Sequence, residues 1–240
     1  MHRFIAANSD VLSDQAARWL VTQIRATLAK QDRYTIALSG GSTPKKLFKL
    51  LAAEPYRSQI HWRKLHFFWG DERFVPFADE KNNAHMAFHE LLDRVPVNKE
   101  QVHIMRTDLE PAAAVTDYEN ILHRYFDDQP HTFDLVMLGL GDNSHTLSLF
   151  PGYPVTYITD KWVDAFYLKE QEMYRITLTA PVVNKAAKVA YLVSGADKAP
   201  AVKEILEGKY DPDHHPAQVI RPELDKPYWF LDKAAAALLK

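Results

Sequence analysis

The 240-residue chain contains no cysteine. That excludes disulfides, thiolate metal sites and a cysteine nucleophile. It fits a reducing compartment, and a cytoplasmic location is expected. No apolar run approaches the length of a membrane span. The first eight residues lack the long apolar core of a signal peptide. There is no block of like charge either. With 29 Lys and Arg against 31 Asp and Glu, the net charge is -2. Neither nucleic acid nor a membrane surface is therefore an expected partner. Any anion site has to be a local feature. Internal repeats and low-complexity linkers are absent as well.

What is present is ordinary globular composition, 47% hydrophobic and 25% charged. The length permits one large domain or two small ones. A chain of this size buries roughly 70% of its unfolded surface, enough for a core without staples. The pattern alternates between apolar strands and amphipathic helices. Strands are expected over residues 2–6, 34–38, 65–69, 102–105, 133–138, 162–168, 174–179 and 187–194, with late short strands or packing segments at 219–220 and 228–231. Helices are expected from Ser9 or Asp10 to about Lys30, after Pro44, over 83–92, 111–126 and 197–206, and across the terminal alanine run 234–237. Such alternation implies an α/β fold: a mostly parallel, Rossmann-like sheet with helices on both faces and a few extra short strands.

The richest segment is Gly139-Leu-Gly-Asp-Asn-Ser-His-Thr-Leu-Ser-Leu-Phe-Pro-Gly152. It follows a buried strand, turns on two glycines and presents His145 just past the turn. A histidine at the C-terminal edge of a sheet is placed to meet a ligand and to move a proton near neutral pH. A helix-capping role fits the same pattern. The second segment is Tyr34-Thr-Ile-Ala-Leu38 followed by Ser39-Gly-Gly-Ser-Thr-Pro44. Thr43 reads as an N-cap and Pro44 as the first helical residue. The helix N-terminus would then offer free amides to an anion, with Gly40 and Gly41 allowing close approach and Ser42 and Thr43 adding hydroxyls. Neither a Walker A loop nor a dinucleotide fingerprint is present. Alone, this segment also fits an ordinary strand-to-helix turn. Two further loops, residues 70–73 and 195–198, fall at the same sheet edge, and the agreement of all four outweighs any one motif.

Together these segments resemble the 6-phosphogluconolactonase family, in a superfamily that also holds glucosamine-6-phosphate deaminase. The matching motifs are Ser39 to Pro44, Asp71-Glu-Arg73-Phe-Val75-Pro76 with Asn82-Asn83, Gly139 to Gly152, Arg175-Ile-Thr-Leu-Thr179, and Gly195 with Lys198. They span nearly the whole chain in order, so residues 1–240 are expected to form a single lactonase-like α/β domain. The chain departs from the family at three positions: Asn143 for aspartate, Ser144 for glycine and Leu147 for alanine. Asparagine keeps an acceptor but loses the charge that would support an imidazolium. Ser144 would be strained at positive φ.

The resemblance implies hydrolysis of 6-phosphoglucono-1,5-lactone to 6-phosphogluconate in the pentose phosphate pathway. A positioned water and one base suffice, so no metal or organic cofactor is expected. His145 is the implied base, with Asn143 and Arg73 in the catalytic set. Gly40, Gly41, Ser42, Thr43, Arg175 and Lys198 are the implied substrate and phosphate contacts, and Arg73 is a further candidate for a bidentate grip. For Arg175 a surface ion pair remains open, for Lys198 a solvated position, and for Arg73 a structural pairing with Asp71 or Glu72. Deaminases carry glutamate five residues after the histidine and tyrosine at the position of Arg73. Here those positions are Phe150 and Arg73, which favours the lactonase. A sugar-phosphate-binding protein without catalysis is the other alternative. The His214-His215 pair, in a proline-bracketed loop, is not expected to bind metal.

Overall fold

A computed structural model describes residues 2–240. Six parallel strands form the central sheet in the order β1-β9-β8-β5-β2-β3: β1 (His2–Ala6), β2 (Tyr34–Leu38), β3 (Leu65–Trp69), β5 (Leu135–Leu138), β8 (Val189–Val193) and β9 (Tyr228–Asp232). β2, β5 and β8 are buried along their whole length. That is why they read as continuous apolar runs rather than alternating ones. A second sheet is antiparallel: β4 (Asp71–Arg73), β7 (Met173–Leu178) and β6 (Val163–Leu168).

The helices are α1 (Ser9–Leu28), α2 (Ser42–Leu51), α3 (Asn83–Glu90), α4 (Pro111–Phe126), α5 (Ala180–Asn184) and α6 (Ala199–Glu207). α1 starts where Asn8 Oδ1 accepts the amides of Asp10 and Val11, both at 3.0 Å. Its buried stripe includes Leu12, Ala16, Leu20 and Ile24. α4 begins on Pro111, whose missing N–H costs nothing at that position.

Sequence and structure differ at several elements. Residues 102–105 make one parallel bridge, Val102 to Phe67, and no strand. The His103 amide still donates to the Phe67 carbonyl at 2.8 Å, while its side-chain Nε2 lies 2.8 Å from the Tyr125 hydroxyl. The 70–73 segment is not a loop: Asp71–Arg73 is strand β4, paired with β7. The alanine run 234–237 forms turns: the Ala236 amide reaches back four residues to Asp232, the Ala237 amide three to Ala234, and the Ala235 amide bonds to the Asp232 side chain, so no helical ladder repeats. Val219 ends a 3-10 turn, Pro216–Val219, and Ile220 caps it in an extended conformation, packing in the core without joining a sheet. α6 is preceded by a 3-10 turn over Ala196–Lys198. Finally, Gly41 caps α2, not Thr43. Its carbonyl accepts the Lys45 amide at 3.1 Å, so Thr43 and Pro44 lie inside the first turn.

The order of the central sheet reverses at β2, which has β3 on one side and β5 on the other. The chain leaves β2 and β5 side by side, and a crevice opens beyond their C-terminal ends.

Candidate active site

The crevice is lined by residues 39–44 after β2, residues 139–141 and 145–147 after β5, and Ser194 and Lys198 after β8. Asp71, Arg73 and Arg175 of the antiparallel sheet, with Asn83 of α3, close its side. The four sequence segments thus meet in one place, although two of them arrive through a second sheet.

On one wall is the N-terminus of α2. Gly41 has φ 102° and ψ 172°, a conformation open to glycine but strained for other residues. It turns the chain so that the amides of Ser42 and Thr43 lead the helix without intrahelical acceptors. Gly40 is small for a different reason: a Cβ there would lie 1.9 Å from Asn83 Oδ1. Asn83 Nδ2 donates to the Asp71 carbonyl at 2.9 Å, which holds α3 against β4. The Thr43 and Ser194 hydroxyls are 2.9 Å apart and join α2 to the end of β8. Lys198 extends into the crevice with Nζ 3.0 Å from Asp197 Oδ2 and its side chain 24% exposed.

His145 forms the opposite wall. Its ring lies over Gly141, where a Cβ would come within 2.0 Å of Nδ1. Its other face stacks on Phe150, with centroids 4.2 Å apart and 19° between planes. Asn143 Oδ1 accepts the His145 amide at 3.2 Å and lies 2.5 Å from His145 Nδ1. A backbone amide only donates, so the atom facing it is the oxygen. That same oxygen then takes a proton from Nδ1, which leaves Nε2 with its lone pair. Burial lowers the His145 pKa to about 4; Arg175 and Lys198 act in the same direction, and Asp71 and Asp142 oppose it. The ring is therefore neutral at physiological pH.

β4 and β7 set Arg73 directly opposite Arg175. Arg175 is only 2% exposed, so it is not a surface ion pair. Its NH2 donates to Asp71 Oδ2 at 2.7 Å, its Nε to Ser148 Oγ at 3.0 Å and its NH1 to Gln171 at 3.0 Å. Burial pushes the Asp71 carboxyl up, but Arg175, Arg73 and the Ser148 hydroxyl together hold it below its ordinary value. With those three contacts made, the guanidinium is held in the wall and not poised to grip a ligand. Arg73 is freer: NH1 donates to the Lys81 carbonyl at 2.7 Å, while Nε is buried without a partner. It forms no pair with Asp71 or Glu72; only its backbone amide meets the Glu72 carboxylate. Glu72 accepts three backbone amides, from Arg73, Asn83 and Ala84, each at 2.8 Å. Burial nevertheless pushes it up to about 7.

Two of the three departures from the family pattern carry strain. Ser144 has φ 66° and Leu147 φ 54°. His214 bonds to Asp211 while His215 reaches Ser144, so the pair diverges. Among the described residues no cluster of three metal-ligating side chains occurs. Sequence reasoning quoted Asp71, Asn83 and Phe150 without their contacts, and it missed Ser148 and the His215–Ser144 bond.

A family model described as "Glucosamine-6-phosphate isomerases/6-phosphogluconolactonase" matches residues 7–229. The chain belongs to this family. Within it, the chain falls among the 6-phosphogluconolactonases. It is 37% identical to 6-phosphogluconolactonase of Synechocystis sp., over 98% of this chain and 97% of that one. It is equally 37% identical to the Nostoc sp. 6-phosphogluconolactonase, over 96% and 97%. The solved 6-phosphogluconolactonase of Trypanosoma brucei superposes with a TM-score of 0.86 at 29% identity, covering 100% of this chain and 98% of that chain. Family membership thus extends across both sheets and all four crevice segments. No described helix is long and apolar enough to cross a membrane.

Proposed function

We propose that this chain hydrolyses 6-phosphoglucono-1,5-lactone to 6-phosphogluconate, with His145 as the general base. The activity follows from the near full-length likeness to proteins of that name. The residue roles follow from one observation: a histidine with a free Nε2 faces a helix N-terminus with free amides in the same crevice. Residues 1–240 act as one domain, and a cytoplasmic location belongs to the same reading.

The 6-phosphate docks on the amides of Ser42 and Thr43 at Gly40 and Gly41, with Lys198 and Arg73 supplying charge. Arg175 contributes a fixed positive charge and keeps Asp71 in place. Water attacks the lactone carbonyl carbon while Nε2 takes its proton, a step worth about 10²–10⁴-fold. The C1 to ring-oxygen bond of the tetrahedral intermediate then breaks. The ring oxygen receives the proton back from His145 and becomes the 5-hydroxyl. Asn143 keeps its bond to Nδ1 throughout, so the ring does not rotate between the two steps. Deamination needs a further acid or base at position 150, and Phe150 fills that place with a ring stacked on His145.

The test is an initial-rate assay on freshly made 6-phosphogluconolactone, corrected for spontaneous hydrolysis. Unphosphorylated gluconolactone and glucosamine 6-phosphate run in parallel. Rapid turnover of the first, poor turnover of the second and none of the third is expected. Binding of the phosphorylated lactone without turnover would make the chain a sugar-phosphate-binding protein instead.

A further inference from the structure

We infer that His215 is a positioning residue for the catalytic turn, through a bond made possible by the serine at position 144. Ser144 stands between the two residues that set the base: Asn143, which orients the ring, and His145, which carries it. Its φ of 66° is one that glycine adopts freely and serine does not. Left alone, a serine there favours relaxation to negative φ, which would swing the peptides on both sides and break the Asn143–His145 geometry.

Two contacts from one distant segment oppose that relaxation. Ser144 Oγ and His215 Nδ1 are 2.9 Å apart, across 71 residues of sequence. The Ser144 carbonyl accepts the Ala217 amide at 3.1 Å. Ser144 is 2% exposed, so a lost hydroxyl partner would not be replaced freely by water. The segment is itself anchored. Gln218 accepts the Asp211 amide at 2.6 Å and donates to the carbonyls of Glu204 and Lys209, both at 2.9 Å. The strain at position 144 is thus held by a clamp seated on the end of α6. His215 is not among the residues lining the crevice, and its side-chain bond is to Ser144, so its route to the reacting ring runs through Ser144.

This inference rests on His145 being the base. The experiment compares His215→Ala, His215→Asn, Ser144→Gly and the Ser144→Gly/His215→Ala double variant, with His145→Ala as a control on that reading. His215→Ala should lower kcat roughly tenfold with KM within about twofold, less than the ~10²-fold cost of a full 1 Å misplacement. Asparagine places a polar atom near the position of Nδ1, so His215→Asn should recover most of the loss. In the Ser144→Gly background, where the hydroxyl and the strain are both gone, His215→Ala should change kcat by less than about twofold. Thermal melting of each variant separates loss of fold from loss of geometry. An unchanged kcat in His215→Ala, an equal fall in the glycine background, or no recovery with asparagine would each overturn the inference. Turnover surviving in His145→Ala would instead remove the base, a different failure.

Discussion

The bond between Asn143 and His145 has a direction, and the chemistry follows from it. Because Oδ1 already accepts a backbone amide, Nδ1 is the donor and Nε2 is the base. Asn143→Asp keeps the acceptor and adds charge, so the His145 pKa should rise from about 4. The acidic limb of kcat/KM should then move to higher pH; paired pH–rate profiles check this, and an unmoved limb would mean that position 143 does not influence the ring. At the phosphate end, Lys198→Ala removes a contact present in ground and transition states alike. It should raise KM about tenfold with kcat within about twofold. Steady-state kinetics with the phosphorylated lactone measures the split. The base and the anion loop were legible in the sequence because each sits on a glycine turn after an apolar strand. The role of Arg175 was not. Its partners Asp71 and Ser148 lie 104 and 27 residues away; the pairing of β4 with β7 brings the first, and the turn after β5, bonded to Thr177 of β7, brings the second.

At the scale of elements, apolar runs were legible to within about two residues: β5 and β8 are each shorter than the runs 133–138 and 187–194 that contain them. β1, β2, β3 and α4 agree with expectation because periodicity and caps point the same way. Short segments were decided by tertiary partners instead. Asp71–Arg73 looks like a loop in sequence because three residues carry no period, yet β7 supplies a ladder. The start of α2 was misjudged by two residues because Thr43 is a good cap in isolation, while Gly41 takes that place through its positive φ. That φ yields a clean test. A Cβ at Gly41 would meet no atom within 4 Å, so Gly41→Ala acts through backbone strain alone. It should cost about 1–3 kcal/mol of stability and raise KM for the phosphorylated lactone. Chemical denaturation and kinetics together check both effects. A neutral outcome would mean that the turn tolerates a side chain.

For the whole molecule, two desolvated groups, His145 in the crevice and Glu72 outside its lining, pull stability in opposite directions over one pH window. Neutral His145 resists protonation in the fold, so its contribution is present above pH 6.5 and is lost as pH falls toward 4. Glu72, pushed up to about 7 by burial, contributes below pH 4.5 and loses that contribution as pH rises through 7. Each change amounts to about 3 kcal/mol. In the native chain they nearly cancel between pH 4.5 and 6.5. Denaturation across that window should therefore find His145→Ala gaining stability on acidification and Glu72→Gln losing it. The same slope in both variants would refute the pairing. The most direct measurement remains lactone turnover itself, by wild type and His145→Ala on fresh substrate with spontaneous hydrolysis subtracted. A loss of about 10²-fold or more in kcat, with binding of the phosphorylated product kept within a few-fold, is the result expected of a general base. A loss of only two- or three-fold would contradict it.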